Sequence, residues 1–233
     1  MKQWLMILPC VAALLCGCTE KPAQEMVEDV EPRISDYYRK PNPDWALSAL
    51  PRLDEMVQDE KAASPIYGFV VGVVKTSADR KEEWKAASKK CARVKPAVDA
   101  GLECETLGDV VTAGYEDYSP ELLDMIWGYF MATGDAEAPR RVIHRGGMKV
   151  PCNASFDLTA KAAAWSSCSL AKEHPIVRTE LESFAMTAEP EAILNFFGEA
   201  PLQEAISNVL SSAALDRIQS VQEDEKRRGN IQD

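Results

Sequence analysis

The sequence predicts an all-α protein, an irregular array or compact bundle of antiparallel helical hairpins. Three observations carry that expectation. From Asp44 onward apolar residues recur at helical spacing, and no segment alternates as a strand would. Proline repeatedly precedes an apolar run, a position where its missing N–H costs nothing and its φ is already helical. Connections between the runs are short, which favours antiparallel neighbours.

Taken in order, the helices are expected near 44–59, 64–76, 79–95, 106–113, 119–132, 136–145, 157–172, 175–187, 190–197 and 201–226. Pro65, Pro120, Pro175, Pro190 and Pro201 mark five of the starts, with Ser64 and Ser119 placed to cap free amides. Gly146 and Gly198 mark two of the stops. Apolar stripes run along Trp84, Ala87, Cys91 and Val94, and along Leu122, Ile126 and Phe130. Two more run along Val177, Leu181 and Phe184, and along Leu202, Ile206, Val209 and Ala213. The small residues of 160–164 suit close contact between helices. No period of 34 or 40 residues repeats, so a regular helical solenoid is not expected.

Hydrophobic residues at 46% and charged residues at 27% are the balance of a globular chain rather than a disordered one. A length of 233 residues suits one medium domain, expected over 44–233. The formal charge of −11 disfavours nucleic acid, which needs a basic surface, and adsorption of the folded body on anionic headgroups.

The N-terminus obeys different rules. Lys2 precedes an apolar stretch from Trp4 to Leu15, too short for a bilayer span but right for a secretory signal over 1–17. Leu15-Cys16-Gly17-Cys18 follows, and this string resembles the lipobox of bacterial lipoproteins. The resemblance implies cleavage before Cys18, a lipid (palmitate among its acyl chains) on Cys18, and attachment to the cell envelope. Thr19, where Asp would favour the inner membrane, implies the periplasmic face of the outer membrane. Residues 18–43 then read as a lipidated tether, flexible to about residue 36, with an extended arm carrying Tyr37, Tyr38 and Trp45 against the first helices. A second resemblance lies at 120–177, where a Trp-Gly-x-Phe helix, a Thr-Gly-Asp turn and an Ala-Trp-Ser helix ending in His-Pro are similar to an exported, all-helical bacterial family. That family carries no assigned activity, so it implies a fold and no chemistry.

With the signal and Cys18 set aside, Cys91, Cys104, Cys152 and Cys168 remain. An even number in an exported chain reads as disulfides, with 91–104 and 152–168 the nearest-neighbour pairs. A zinc site would draw on His144, Cys152, Cys168 and His174, but no clip spacing is present and no metal or other cofactor is inferred. Arg140, Arg141, His144, Arg145 and Lys149 form the densest basic cluster, a patch for an acidic partner or simply cations answering a helix C-terminus. No G-x-S-x-G, S-x-x-K or H-E-x-x-H string occurs, and no catalytic residue or small-molecule substrate is inferred. The expected function is a non-catalytic envelope lipoprotein whose helical domain binds a protein partner. An immunity or inhibitor lipoprotein against a periplasmic toxin is the alternative, with an envelope hydrolase behind it.

Overall fold

The computed structural model describes residues 30–57, 60–148, 154–198 and 200–229. The signal, the lipobox with Cys18 and most of the tether lie outside these residues, as do Lys149 and Cys152. Every regular element among the described residues is a helix, so the chain is all-α. The helices are α1 (Val30–Ser35), α2 (Pro43–Met56), α3 (Glu60–Thr76), α4 (Lys81–Ser88), α5 (Lys95–Glu103), α6 (Leu107–Val110) and α7 (Pro120–Thr133). They continue as α8 (Glu137–Gly147), α9 (Ala154–Leu170), α10 (Pro175–Thr187), α11 (Pro190–Phe197), α12 (Ala200–Ile206) and α13 (Ser212–Gly229). No described helix is long and apolar enough to cross a membrane. Two units form, Met1–Thr106 with Trp127–Gly134, and Leu107–Ile126 with Asp135–Asp233.

The first unit is organised on α3, whose Phe69, Val70, Val71, Val73 and Val74 are all buried. It packs on α2 and α5, and two glycines set how near its partners come. A Cβ on Gly101 of α5 would strike Val74 Cβ at 2.8 Å, and one on Gly128 of α7 would strike the Pro65 carbonyl carbon at 2.8 Å. Pro65 therefore lies inside α3, not at its start. Its missing N–H leaves one carbonyl of the preceding turn without its usual donor.

The single helix expected at 79–95 is instead a 3₁₀ turn, α4 and a tight connection, and α5 follows where a loop was expected. Asp54 of α2 explains the break. Its buried carboxylate accepts the backbone N–H groups of Arg93 (2.7 Å) and Val94 (2.9 Å), supplying from another helix the cap that α5 lacks locally. Trp84 anchors α4 to the end of α3, donating its indole N–H to Ser77 Oγ at 3.0 Å, while Ser77 donates to the Val73 carbonyl at 2.6 Å.

The segment expected to stay flexible to about residue 36 is instead helical from Val30, with Pro32 in the first turn of α1, where no donor is missed. The arm expected to be extended opens with a 3₁₀ turn at Tyr37–Arg39. Asn42 Oδ1 then accepts from Trp45 N (2.9 Å) and opens α2 at Pro43. Tyr37 is buried edge-on to Phe69, ring centroids 5.3 Å apart, and Tyr38 lies 5.2 Å from Phe130. Gly134, at φ +66°, leaves room for the Tyr38 ring where a Cβ would come within 2.7 Å of it. The aromatic arm staples itself to the first unit, as expected.

In the second unit α8 is the central element, touching α9, α10 and α11. Gly146 and Gly147 do not stop it; they are its last two residues, and both are buried. The reason is steric. A Cβ on Gly146 would meet Phe196 at 2.7 Å, and one on Gly147 would meet the Phe184 ring at 2.5 Å. Long-range caps close the other ends: Arg217 donates to the carbonyls of Ala185 and Ala188 at 3.1 Å each, and Glu182 accepts from Ser211 N at 2.8 Å. The run expected at 201–226 breaks into α12 and α13 there. The stripe shifts accordingly, so Ala213 is exposed while Ala214, Ile218 and Val221 are buried.

Candidate functional site

The structure does not gather the basic cluster of α8 into one open face. Arg145 is wholly buried, and burial pulls its guanidinium pKa down. Arg140 makes a two-pronged pair with Glu180 of α10 (2.9 and 3.1 Å), and Arg141 pairs with Glu137 at 2.9 Å. Arg141 also donates to the Val111 carbonyl (3.4 Å) and the Tyr118 hydroxyl (3.5 Å). His144 is exposed, as Arg140 is, and its ring lies 6.1 Å from Tyr115 and 5.8 Å from Phe184. Lys149, the fifth member, lies outside the described residues. Arg140 and Arg141 are thus tied to acids of their own unit.

The cysteine expectation is corrected. Cys91 and Cys104 are separate thiols. The nine residues of α5 stand between them, a rise of about 13 Å, whereas a disulfide needs Cα atoms within about 7 Å. Cys91 is buried, which pushes its thiol up, and Cys104 turns back toward the Gly101 carbonyl at 3.8 Å. Cys168 is a free thiol with no exposed surface, pushed up to about 12 by burial. Its place in the inner stripe of α9 makes it a small core residue, and Cys152 lies outside the described residues. His174 is likewise buried, at the cap position before Pro175, but its side chain makes no cap bond. Among the described residues no three His, Cys, Asp or Glu side chains come together as metal ligands.

A different surface stands out on α9. Its inner stripe is Ala160, Ala163, Ala164, Ser167, Cys168 and Ala171, all buried. That stripe turns Trp165 outward, where it stays 43% exposed, and Leu158 with it at 46%. The two are seven residues apart, two turns or about 10 Å along one helix face. Trp165 heads a cleft of about 660 Å³ whose walls include Lys172, Arg178, Glu204, Asn208 and Val209. Arg178 is held there by capping α9, donating to the carbonyls of Ala171 (3.3 Å) and Lys172 (3.4 Å). No expectation drawn from the sequence fell on this site, although the spacing of small residues around Trp165 already carried the signal.

Comparison of the chain with known protein families, with curated proteins and with solved structures finds no match.

Proposed function

We propose that this chain is a lipid-anchored protein of the cell envelope, without catalytic chemistry of its own, whose helical body binds an acidic protein partner at the Trp165 cleft. The anchor rests on the resemblance of Leu15-Cys16-Gly17-Cys18 to a lipobox. The observation that carries the binding reading is Trp165 itself. A tryptophan held outside a helix whose inner face is already filled adds nothing to the core, and aromatic anchors of this kind dominate binding energy at interfaces.

Charge selects the partner. The whole chain at −11 would suit a basic partner, such as the toxin of the immunity reading. Yet exposed charges act over a Debye length of about 8 Å, so the nearest ones decide. At the cleft these are two cations, Lys172 and Arg178, against one acid, Glu204. A segment with acidic side chains around an apolar anchor fits that balance.

The test places a photo-crosslinking residue at Leu158 in the lipidated protein within its own envelope, with Met186 as the control position. We expect an adduct from 158 but not from 186. It should disappear in Trp165→Ala and Lys172→Glu while helical circular dichroism is unchanged. An adduct that survives Trp165→Ala, or equal labelling from 186, overturns the cleft assignment. Cys18→Ser should separately move the protein from the membrane to the soluble periplasmic fraction; retention in the membrane would overturn the anchor.

A further inference from the structure

Helix α9 carries two charged residues, Asp157 and Lys161, in its 17. A helix this poor in charge is ordinarily enclosed on every side. Its inner stripe is enclosed, yet Leu158 and Trp165 are exposed, and Ala162 and Ser169 are half-buried. These four follow one another by four, three and four residues, the alternation by which one helix seats another along its length. Large and small side chains alternate along the line, so it presents ridges and gaps at helical pitch. Ser169 lies eleven residues beyond Leu158, a rise of about 16 Å.

The chemistry of this line selects what covers it. Every regular element among the described residues is a helix, so no strand edge is offered to an extended segment. Backbone N–H and C=O groups pressed against leucine, alanine and tryptophan would lose water and gain no partner. A helix brings its backbone bonds with it and buries only side chains. Lys172 stands three residues further on, past the end of α9, exposed and in no ion pair among the described residues. With Arg178 it marks the end of the line where acidic side chains fit.

We infer that the partner at the Trp165 cleft presents a helix, laid along Leu158, Ala162, Trp165 and Ser169, with acidic side chains at the Lys172 end. The inference deepens the proposed function and rests on it. It adds a form and a footprint: contact runs the length of α9 rather than ending at one tryptophan. Ala162 and Ser169 are then contact residues, small enough to let the backbones of two helices approach to about 8–10 Å.

The experiment uses the full-length lipidated chain in its own envelope, with a short diazirine side chain at position 158 or, separately, at 169. The partner residue captured from each position is mapped by mass spectrometry. Two helices side by side advance together, so the captured residues should lie about eleven apart in one stretch of the partner. An extended segment covers the same 16 Å in about five residues. Captured residues about five apart, or in unrelated stretches of the partner, overturn the inference while leaving the cleft assignment standing. A second measurement tests the footprint. Ala162→Glu places a charge in the middle of the line without touching Trp165 or Lys172, and should lower the adduct from 169 at least tenfold. An undiminished adduct, with the helical spectrum intact, overturns contact along the line. Capture of a second copy of this chain overturns both the inference and the acidic-partner reading. Absence of any adduct from 158 and 169 is the failure of the proposed function itself, so the two failures are told apart.

Discussion

Single side chains carry out long-range tasks here that neighbouring residues do not announce. Asp54 caps a helix 40 residues away, Arg217 closes α10 from α13, and Arg178 closes α9 from α10. Each is an ordinary charged residue in the sequence, so spacing alone could not mark it; the partner appears only when the chain folds. Asp124 is the opposite case, an acid whose surroundings work against it. Burial, with the repulsion of Glu121 added, raises its carboxyl from 3.8 to about 6. The folded chain thus holds this proton more tightly than the unfolded chain does. The stability it contributes is complete below the unfolded value and is lost as pH rises through about 6. At pH 7.5 the ionised carboxylate is a net burden. Asp124→Asn should therefore stabilise the protein by about 2 kcal/mol at pH 7.5 and leave it nearly unchanged at pH 3.5. Urea midpoints at the two pH values measure this, and an equal gain at both would rule out ionisation as the cause.

At the scale of elements, period and proline were readable and phase was not. Pro120, Pro175 and Pro190 do begin α7, α10 and α11, and the Val177, Leu181 and Phe184 stripe is buried. These are local rules, and locally satisfied. Pro65 misled because a helix tolerates an internal proline where its tertiary setting compensates, and Gly146 because a missing Cβ can make room for a ring as readily as it can end a helix. Gly128 belongs to the same class. It has helical neighbours on both sides, and in isolation alanine there would favour the helix by about 1 kcal/mol. Against that, an added methyl would meet the Pro65 carbonyl carbon at 2.8 Å and Phe69 N at 2.9 Å, both backbone atoms that cannot swing aside. Overpacking of this kind costs about 3 kcal/mol, so the steric effect wins. Gly128→Ala should lower the melting temperature by several degrees, read by circular dichroism at 222 nm. An unchanged or raised temperature would mean that α3 and α7 can separate without loss.

For the whole molecule, the question is what holds the helical chain together without a crosslink between Cys91 and Cys104. Counting cysteines pointed to disulfides, because an even number of thiols in an oxidising compartment usually pairs. The count could not see that α5 would fold between Cys91 and Cys104 and hold them apart. The candidate site was hidden in a similar way: the basic string of α8 was conspicuous in sequence, yet its arginines are buried or paired inside the unit, whereas Trp165, set among alanines, read only as part of a helix. The described core supplies what a staple would. Trp84, Phe69 and Phe130 in one unit and Phe196, Phe197 and Ile143 in the other are essentially without exposed surface, and each such side chain contributes about 1.5–3 kcal/mol by burial. Two consequences follow for the native protein in solution. Its urea midpoint should be the same with and without a strong reductant. A thiol-specific maleimide should modify Cys104 well before Cys91 and Cys168, whose labelling should wait for unfolding because burial both hides them and keeps their thiols protonated. Peptide mapping after timed labelling reads the order. A midpoint that falls on reduction, or a native chain in which Cys91 and Cys104 both resist the reagent until reduced, would restore the crosslink in place of the packed thiols.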